Sequence, residues 1–595
     1  MCGICGIYDR TEPLAQPNER LGRMVSALWH RGPDARGEHV TERVALGATR
    51  LAIIDLIGGD QPIYSEDGSV CAVYNGEIYN YRELRGELEA RGHDFASRTD
   101  SEVLVHLYEE EGIHFVRRLN GMFAFALWDE RRQCLHLARD RFGIKPLHYS
   151  WDGRQLRFAS EVKALLAENG ARASLDLDAY VELLTFQNVL SDRTLFSGVR
   201  LLPAASVLTV DADGLEVRRF WDPMPMPSSQ PEGPALATEV RAHFERAVER
   251  HLVSDVEIAS YLSGGLDTGA VSAVAARRLP RLTTFSTGFD VSTAAGLEAE
   301  FDERADAAQL AAVIGTHHHE LLLDAAEAEM VLPRMMRYLE EPRMSFSYPN
   351  YLTAGLASRW VKVVLSGAGG DEMLGGYPWR YGFAARPDFP EGYYDYWTRL
   401  LDADEMAGAL APSAQSEIDL SRPRAVFDAL MAESEHLEPL DRTLYFESRT
   451  FLHGLLVIED KLSMAHSLET RVPFLDNELV DFLLTVPAAR KLEEQRSKDL
   501  FRKAVSGLLP EPVVARKKTG FVPPQAAWFR GEQSAYLEAI LLSDRTLERG
   551  VLRPEFVRRV VEEHFAGAAD RRLLLWTLLC MEWWHRVFVD GEHAG

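Results

Sequence analysis

The sequence predicts a two-domain α/β protein, and three features of the chain support this fold class. Residues 1–210 consist mainly of strand-like segments between turns, such as VCAVYNGEIYNY, which is rich in β-branched and aromatic residues. The segment 221–234, WDPMPMPSSQPEGP, contains five prolines, which favour an extended linker. Beyond it, short apolar runs alternate with helical patterns, as they do in a parallel sheet. The predicted divisions are therefore a first domain at 1–210, a linker at 211–235 and a second domain at 236–595.

The chain after the proline-rich segment contains the elements of the predicted parallel sheet in order. ALATEVRAHFERAVERHL places Val240, Phe244 and Val248 four residues apart, as on one face of an amphipathic helix. The runs EIASYL, LTTFSTGF and VKVVLSG then predict buried strands separated by helices. From about residue 390 the pattern is mainly helical, so we expect added helices after the sheet.

Composition and charge restrict the classes of function. The 595 residues are 46% apolar and carry a formal net charge of −25, which argues against nucleic acid or an anionic membrane as the main partner. The five cysteines form no disulfide framework, so a reducing compartment is expected. The chain start does not resemble a signal peptide, and the longest apolar stretch, near LLLWTLLCM, is too short for a bilayer. The sequence therefore predicts a cytoplasmic protein.

The first residues, MCGICGIYD, place a cysteine directly behind the initiator methionine. Three explanations are open: a metal or redox pair of Cys2 and Cys5, a buried structural cysteine, and an N-terminal nucleophile. A zinc site needs more ligands at a suitable spacing, whereas Cys71 and Cys134 stand alone. If Met1 is removed, the α-amine of Cys2, with a pKa of roughly 7.7–8.0, can take the thiol proton. We expect such a thiol to be exposed.

The segment YNGEIYN contains groups that amide hydrolysis requires. The side-chain amide of Asn75 and the backbone N–H of Gly76 could stabilise a tetrahedral oxyanion. Arg50 could bind an α-carboxylate, and Glu77 and Asp100 could bind an α-ammonium group. From these residues alone, a hairpin turn at Asn-Gly and surface roles for the charged side chains remain open.

Six segments together resemble the glutaminase domain of class II glutamine amidotransferases: MCGICGIYD, HRGPD, TRLAIIDL, YNGEIYNY, RTDSE and LARDRFGIKPL. The resemblance implies a four-layer αββα sandwich of the N-terminal-nucleophile type, with Cys2 as the nucleophile after loss of Met1. It implies an oxyanion hole formed by Asn75 and Gly76. It also implies a glutamine site made of Arg50, the Ile53 backbone, Asn75, Glu77 and Asp100.

The loop YLSGGLDTGA joins an apolar strand to a helical run. Its glycines could expose backbone N–H groups to a phosphate at the helix N-terminus, and Asp267 would reach that phosphate through Mg²⁺. No G-K-[ST] follows, so this is not a Walker A loop. On its own, the stretch could also be a plain glycine turn.

Further segments extend the resemblance to most of the chain and are similar to the synthetase domain of the asparagine synthetase family: FSTGF, VKVVLSGAGGDEMLGGYPWRY, DKLSMAHSLETRVPFLDNELVDF and ARKKTGF. The resemblance implies a doubly wound parallel-sheet ATP-pyrophosphatase domain, with Mg²⁺ between Asp267 and Asp371 and with Lys518 as the catalytic cation on the phosphates. It leaves His317, His318 and His319 structural, on a strand edge. It implies ATP contacts at Leu262, Ser263, Gly264, Gly265, Asp267, Thr268, Thr287, Ser366 and Gly367.

The two resemblances together imply an amidotransferase. ATP would adenylate a carboxylic acid, and ammonia from glutamine, kept inside the protein, would displace AMP to form an amide. The acceptor stays open, because Ala368 stands where the family often has an acidic residue. In addition, LEEPRMSFSYPNYL, with Arg343 and Ser347 as possible carboxylate ligands, does not map onto the family's aspartate-binding segment.

Several alternatives to an asparagine-forming enzyme follow from these departures. The acceptor is either aspartate or another carboxylate, such as a sugar uronate or a natural-product acid. An intramolecular amide synthetase that forms a β-lactam or macrolactam is disfavoured by the intact Cys2 motif, and a non-catalytic binding protein by the intact motifs as a whole. A homodimer is expected only from the family's habit.

Overall fold

The fold is described from a computed structural model, which describes residues 2–226, 228, 233–292, 298, 302–344, 347–492, 496–518 and 523–592. The strands form two antiparallel sheets of six strands and one parallel sheet of five. Their bounds are β1 Cys2–Asp9, β2 Ala35–Val40, β3 Val44–Arg50, β4 Ile63–Tyr64, β5 Val70–Ile78, β6 Gly121–Asp129, β7 Cys134–Arg139, β8 His148–Trp151, β9 Gln155–Ala159, β10 Arg200–Leu201, β11 Ser206–Val210, β12 Leu215–Arg219, β13 Ile258–Tyr261, β14 Thr283–Phe289, β15 His317–Leu323, β16 Val363–Leu365 and β17 Glu469–Arg471.

The helices flank these sheets and dominate the C-terminal part. Their bounds are α1 Pro17–Ala27, α2 Tyr81–Ala90, α3 Val103–Glu111, α4 Val162–Asn169, α5 Leu177–Phe186, α6 Pro234–His251, α7 Leu266–Arg278, α8 Arg304–Ile314, α9 Ala325–Leu339, α10 Ser347–Ala357, α11 Gly370–Leu374, α12 Pro378–Tyr381, α13 Glu391–Trp397, α14 Ala403–Ala409, α15 Pro412–Gln415, α16 Arg422–Ala432, α17 Pro439–Arg449, α18 Phe451–Met464, α19 Asn477–Leu484, α20 Ala488–Lys491, α21 Asp499–Ala504, α22 Glu511–Ala515, α23 Gln525–Arg530, α24 Ser534–Leu541, α25 Asp544–Leu547, α26 Pro554–Phe565 and α27 Arg572–Trp584.

The N-terminal domain is a four-layer sandwich. The first sheet has the strand order β10-β8-β9-β1-β3-β2 and the second the order β12-β11-β7-β6-β5-β4. Apolar side chains of both sheets share one core between them, and the outer faces are covered by α1 and α4 on one side and by α2 and α3 on the other. The predicted αββα arrangement is confirmed.

Strand parity determines which side chains face the space between the sheets. Successive side chains of a strand point to opposite faces. Along β1, Ile4 and Tyr8 lie in the core between the sheets, whereas Cys5 and Ile7 pack on the helices outside. Cys2 has the parity of Ile4, and the core residues of β3 and β5 give Arg50 and Asn75 the same inward parity. The nucleophile candidate therefore lies at the end of the inter-sheet space.

The predicted linker begins later than expected. Residues 215–219 form strand β12, which pairs antiparallel with β11, so the start of the predicted linker at 211 is wrong. The charged sequence LEVRR hid this strand, because an edge strand can leave most of its side chains in water. Residues 220–226 carry no regular structure, and α6 begins at Pro234.

The second domain is built on a parallel sheet of strand order β15-β14-β13-β16-β17. Chain order runs from β13 outward through β14 and β15, then returns to the other side of β13 with β16, so the sheet is doubly wound as predicted. In such sheets ligands bind at the carboxyl ends of the strands, where the strand order reverses. His318, on the edge strand β15, lies against the hydroxyls of Thr284 and Ser286, as expected of a structural residue.

Within the described ranges, no helix combines the length and the apolar composition needed to cross a bilayer.

Two candidate active sites

The first site surrounds Cys2, at the end of β1. Cys2 pairs with Arg50 in the ladder between β1 and β3. Its backbone amide donates to Oδ1 of Asn75 at 3.0 Å, and its Sγ accepts from Nε2 of Gln61 at 3.3 Å. The structure thus brings the sequence-predicted Cys2, Arg50 and Asn75 together. Gln61 has no motif signal, and its amide is fixed in turn by the backbone of Tyr74 on β5.

The thiol of Cys2 is buried, so the expectation of an exposed thiol is wrong. Only 6% of the residue is accessible, and burial raises the pKa of the thiol, although the Arg50 charge partly opposes this. A thiol of raised pKa stays protonated near neutral pH and needs a base to become a nucleophile. The nearest candidate is the α-amine that Cys2 gains when Met1 is removed.

A loop of residues 54–60 contacts Arg50, the strand partner of Cys2. The guanidinium donates to the carbonyl oxygens of Ile54 at 3.3 Å and Asp55 at 2.5 Å, and pairs with Asp60 at 3.3 Å. A Cβ on Gly59 would lie 2.3 Å from Nη2 of Arg50, so only glycine allows the loop to approach this closely. Arg50 is thus bonded to loop groups that an α-carboxylate would have to replace.

Asn75 and Gly76 stand on β5 beside the thiol. Nδ2 of Asn75 is buried and finds no hydrogen-bond partner among the described residues, which is costly unless a ligand completes the site. A Cβ on Gly76 would lie 2.1 Å from the Met122 carbonyl oxygen, so the close approach of β5 and β6 requires glycine there. A free amide donor beside a nucleophile is the arrangement that stabilises an oxyanion.

Glu77 and Asp100 are both buried, and burial raises the pKa of each carboxyl group. Asp100 accepts from the Tyr74 hydroxyl at 2.9 Å and from the Ile78 amide at 2.8 Å. Glu77 pairs at 3.3 Å with Arg471, which belongs to the second domain. The Ile53 carbonyl accepts from the Asp255 amide at 3.0 Å, so it too connects the glutaminase site to the second domain.

Substituting Asn75 tests the oxyanion role. In Asn75→Ala and in the isosteric Asn75→Asp, the free N–H donor is lost, and we expect the kcat for glutamine hydrolysis to fall by roughly 10²–10³-fold. The KM for glutamine should change much less, because the donor acts mainly on charge that develops in the transition state. Steady-state glutamate release measures both constants. A rise in KM with unchanged kcat would instead make Asn75 a binding residue only.

The second site is a cavity of about 470 Å³ at the carboxyl ends of β13, β14 and β16. Nearly all of the residues predicted for ATP line it. Gly264 alone among them lies outside the lining, with its carbonyl oxygen 3.3 Å from Nη1 of Arg516. The lining includes Leu262, Ser263, Gly265, Asp267, Thr268, Thr287, Ser366, Gly367, Asp371 and Lys518.

Two loops meet at the floor of this cavity. The Ser263 amide donates to Oγ1 of Thr268 at 3.0 Å, which closes the glycine loop onto the first turn of α7. A Cβ on Gly367 would lie 3.0 Å from Cγ2 of Thr268 and 3.1 Å from Cβ of Asp267, so there is little room for a larger residue where the loops touch. The two loops are thus packed closely against each other in the wall of the cavity.

Two lysines neutralise the paired carboxylates of Asp267 and Asp371. Lys518 Nζ lies 2.7 Å from Asp371, and Lys498 Nζ contacts both carboxylates. Burial would raise the pKa of Asp371, but the two lysines hold it well below its usual range, whereas the pKa of Asp267 stays raised by burial. Lys498 was not predicted, because no local pattern distinguishes RSKDLF from a surface turn.

The carboxylate pair also fits Mg²⁺. Magnesium prefers oxygen ligands supplied by one or two carboxylates together with substrate phosphates. Among the described residues, Oδ1 of Asp267 is buried and has no hydrogen-bond partner, so this oxygen atom is available for a cation.

Helix α18 lies between the two sites. Arg31 Nε donates to the Cys2 carbonyl at 3.1 Å, and its Nη2 pairs with Asp460 of α18 at 2.8 Å. The preceding residue, Glu459, lines the nucleotide cavity and accepts from the Ser366 hydroxyl at 3.0 Å. Burial raises the pKa of Glu459 to about 7, despite the Ser366 hydrogen bond and the Lys145 charge. Sequence reasoning missed Glu459, because VIEDKLSM gives only a buried helical pattern.

Arg343 and Ser347, considered as carboxylate ligands, are engaged otherwise. Arg343 pairs with Glu341 at 2.6 Å, and the Ser347 hydroxyl donates to the Met344 carbonyl at 2.6 Å. Neither lines the cavity, but Arg380 does; its Nε and Nη1 are buried and make no hydrogen bond to a described residue, although Nη1 pairs with Glu447 at 3.5 Å.

Comparison with known proteins finds a family match for each domain. The glutamine amidotransferase domain model matches residues 1–221, and the asparagine synthase model matches residues 239–586. Asparagine synthetase [glutamine-hydrolyzing] 1 of Bacillus subtilis (strain 168) is 33% identical over 100% of this chain and 98% of its own length. Asparagine synthetase [glutamine-hydrolyzing] 3 of the same organism is 34% identical over 88% of this chain and 87% of its own length.

Solved structures align over a smaller part of the chain. The Bacillus subtilis glutamine phosphoribosylpyrophosphate amidotransferase aligns with 54% of this chain and 65% of its own, at 17% identity and a TM-score of 0.28. That score is too low to support an argument, so the fold rests on the sheet topology described above. The family assignment rests on the sequence matches: the chain belongs to the family of glutamine-hydrolysing asparagine synthetases, and is a glutamine-dependent carbon–nitrogen ligase.

Proposed function

We propose that this enzyme converts aspartate to asparagine, using ammonia that is released from glutamine at Cys2 and consuming ATP to AMP and PPi. The observation that carries the proposal is the pair of sites on either side of α18, with Cys2 attached at one end through Arg31 and Glu459 in the wall of the other. The relatives in the family are named for the same activity.

At the first site, the neutral α-amine of Cys2 takes the thiol proton, and the thiolate attacks the side-chain amide of glutamine. Nδ2 of Asn75, which has no other partner, donates to the oxyanion. Arg50 binds the α-carboxylate in place of the loop carbonyls, and Asp100 faces the α-ammonium group. Ammonia leaves as the thioester forms, and water then releases glutamate.

At the second site, the acceptor carboxylate attacks the α-phosphorus of ATP, and PPi departs. Lys498 and Lys518 bind the phosphate oxygens and stabilise the charge that develops on them. Mg²⁺, held by Asp267 and Asp371, would add positive charge against the same oxygens. Arg380 lines the cavity and pairs with Glu447 at 3.5 Å; its guanidinium is the cation proposed to bind the second carboxylate, which aspartate has and a monocarboxylic acid does not.

Ammonia must remain neutral to attack the acyl-adenylate, and a buried route keeps it away from water. Ala368 provides no carboxylate at the position where the family often has one, but Glu459 lies in the same cavity wall. With its pKa raised to about 7, Glu459 is a carboxylate in a large fraction of molecules at neutral pH and can accept a proton from the attacking ammonia.

The role of Glu459 predicts a particular pH dependence. Its carboxylate form is lost as pH falls through about 7. The amidation rate divided by the NH₃ concentration should therefore decrease over the same pH range, and this decrease is the acid limb of the pH profile. In Glu459→Gln the limb should vanish and the rate should drop by roughly 10²-fold. The rate of ammonia-dependent synthesis, measured about every half pH unit from roughly pH 5.5 to 9, tests this prediction.

Glu447 offers a matched control, because burial also raises its pKa to about 7, yet it pairs with Arg380 and Tyr393 and does not line the cavity. Glu447→Gln should retain the limb. If both variants keep it, or both lose it, Glu459 is not the base.

The acceptor is tested by screening acids for ATP-dependent PPi release, with glutamine or ammonia present. Aspartate should give PPi, AMP and asparagine in equal amounts. Absence of turnover with aspartate, combined with turnover on a uronate or another acid, would contradict the asparagine assignment and leave the amidotransferase chemistry in place. PPi release without any dependence on ammonia, with a cyclic product, would indicate an intramolecular amide synthetase.

A further inference from the structure

A cluster of two histidines and two glutamates lies on the N-terminal domain, apart from both active sites. It comprises Glu66, His93, His106 and Glu109, each of which contributes one ligand atom, and these atoms lie within 4.8 Å of one another. Glu66 lies in the turn between β4 and β5, His93 follows α2, and His106 and Glu109 are neighbours three residues apart on α3. The cluster therefore joins three separate segments of the domain.

The ligand atoms lie close enough together for a single metal ion. Nδ1 of His106 lies 3.3 Å from Oε2 of Glu66 and 3.5 Å from Oε2 of Glu109, and Nδ1 of His93 lies 3.1 Å from the other Glu66 oxygen, Oε1, and 3.9 Å from Oε2 of Glu109. A tetrahedral zinc ion with bonds of about 2.0–2.1 Å has ligand atoms about 3.3 Å apart. Two carboxylates and two neutral imidazoles also balance the charge of a divalent cation.

His106 points to a ligand independently of the acidic residues. Its side chain is 1% exposed, and among the described residues neither ring nitrogen has a hydrogen-bond partner, although the carboxylates of Glu66, Glu109 and Glu102 lie 3.3, 3.5 and 3.7 Å away. A buried imidazole without hydrogen bonds is costly, and a metal ion at Nδ1 would remove that cost.

His93 also has the second partner that metal-bound histidines commonly have, because its Nε2 lies 3.2 Å from Glu110. Nε2 of His106 faces the Glu102 carboxylate at 3.7 Å, which is an ion-pair distance and not a hydrogen bond. Metal-binding histidines commonly donate their other N–H to a carboxylate, which fixes the ring and its tautomer.

We infer that Glu66, His93, His106 and Glu109 bind one divalent transition-metal ion, with zinc the best match to the ligand set and geometry. Glu102 connects this site to the glutamine pocket, because its carboxylate accepts from the amides of Ala96 and Ser97 in the loop that carries Asp100. The ion would therefore hold the Asp100 loop against α3 and the β4–β5 turn. Its role is structural, since its four ligands leave no open position for a substrate.

Zinc titration of the chelator-treated, full-length chain tests the inference, with equilibrium dialysis and thermal unfolding as readouts. Because Cys2 and the Asp267–Asp371 pair can also bind a divalent cation, the titration is made in a Cys2→Ala, Asp371→Asn background. One zinc per chain should bind and raise the Tm. Co²⁺ in its place should show the visible absorption of tetrahedral coordination.

Ligand variants separate a built site from unspecific binding. His93→Gln and Glu109→Gln, both on partly exposed residues, should weaken binding by more than about 100-fold, and Glu110→Gln, behind His93, by roughly 10–100-fold. His114→Gln, an exposed histidine outside the cluster, should have no effect. Absence of saturable binding, or binding that His93→Gln and Glu109→Gln leave unchanged, would overturn the inference. A cooperative thermal unfolding transition, measured for each variant in the presence of chelator, shows that the variant is folded.

Discussion

Cys2→Ala is expected to abolish glutamine-dependent synthesis while leaving ammonia-dependent synthesis at the rate of the unmodified enzyme. The thiol is the only proposed nucleophile of the first site, and loss of a nucleophile typically costs at least about 10⁴-fold in kcat. The second site does not use the thiol, and the smaller side chain of the variant would still fit the inward position on β1. Glutamate release and AMP formation, measured with glutamine and then with ammonium, separate the two activities.

Cys5→Ala is the matched control, because Cys5 lies on the opposite face of β1, packed on the outer helices and fully buried. It should retain glutamine-dependent turnover. Intact mass should also show that Met1 is absent from the active enzyme. Glutaminase activity retained in Cys2→Ala would refute the nucleophile assignment, and loss of both activities would indicate a folding defect, which unfolding measurements on the variant would reveal.

Lys518→Met is expected to lower synthesis by on the order of 10³-fold with either nitrogen source, while glutamine hydrolysis continues at Cys2. Burial lowers the pKa of Lys518, but Asp371 and Asp267 outweigh it and raise the pKa well above its usual value, so the side chain is charged at any working pH. Methionine preserves the length of the side chain but removes the charge that would stabilise the phosphate oxygens. PPi release and glutamate release, followed in the same reaction, show the separation.

Lys503→Met is the matched control: it makes the same substitution at a surface lysine, which pairs with Asp499 at 2.7 Å, and it should leave synthesis unchanged. A fall in kcat for Lys518→Met with little change in the KM for ATP would place its effect in the transition state. A rise in KM with normal kcat would limit it to ground-state nucleotide binding, contrary to the proposal.

The parts of the molecule that were predictable are those in which neighbouring residues act together. The resemblance of consecutive motif segments to two known domains predicted the two antiparallel sheets and the groups beside Cys2 and in the nucleotide cavity, and apolar runs that alternate with helical patterns predicted the parallel sheet. A motif such as SGGLD predicts its own local structure, because the loop, the helix N-terminus and the hydroxyl groups come from consecutive residues.

The unpredicted features depend on contacts between distant segments. Lys498 becomes significant only because β13 and β16 place Asp267 and Asp371 side by side. The buried thiol lies against Gln61, which is distant in the chain, and the bonds of the 54–60 loop to Arg50 are not evident from its sequence. Glu459 acquires its raised pKa from the residues that bury it. Strand β12 was not predicted, because its side chains are exposed by its position at the edge of the sheet and do not alternate between apolar and polar residues.

The position of α18 has a consequence for how enzymes of this design can diversify. Glu459 and Asp460 are consecutive, so their side chains leave the helix about 100° apart: Glu459 lines the nucleotide cavity, and Asp460 pairs with Arg31, which binds the Cys2 carbonyl. A change in the position of α18 would therefore affect both sites at once. Selection for a new acceptor acid would therefore act more freely on the loops that line the opposite side of the cavity, and the amide donor chemistry would be inherited intact.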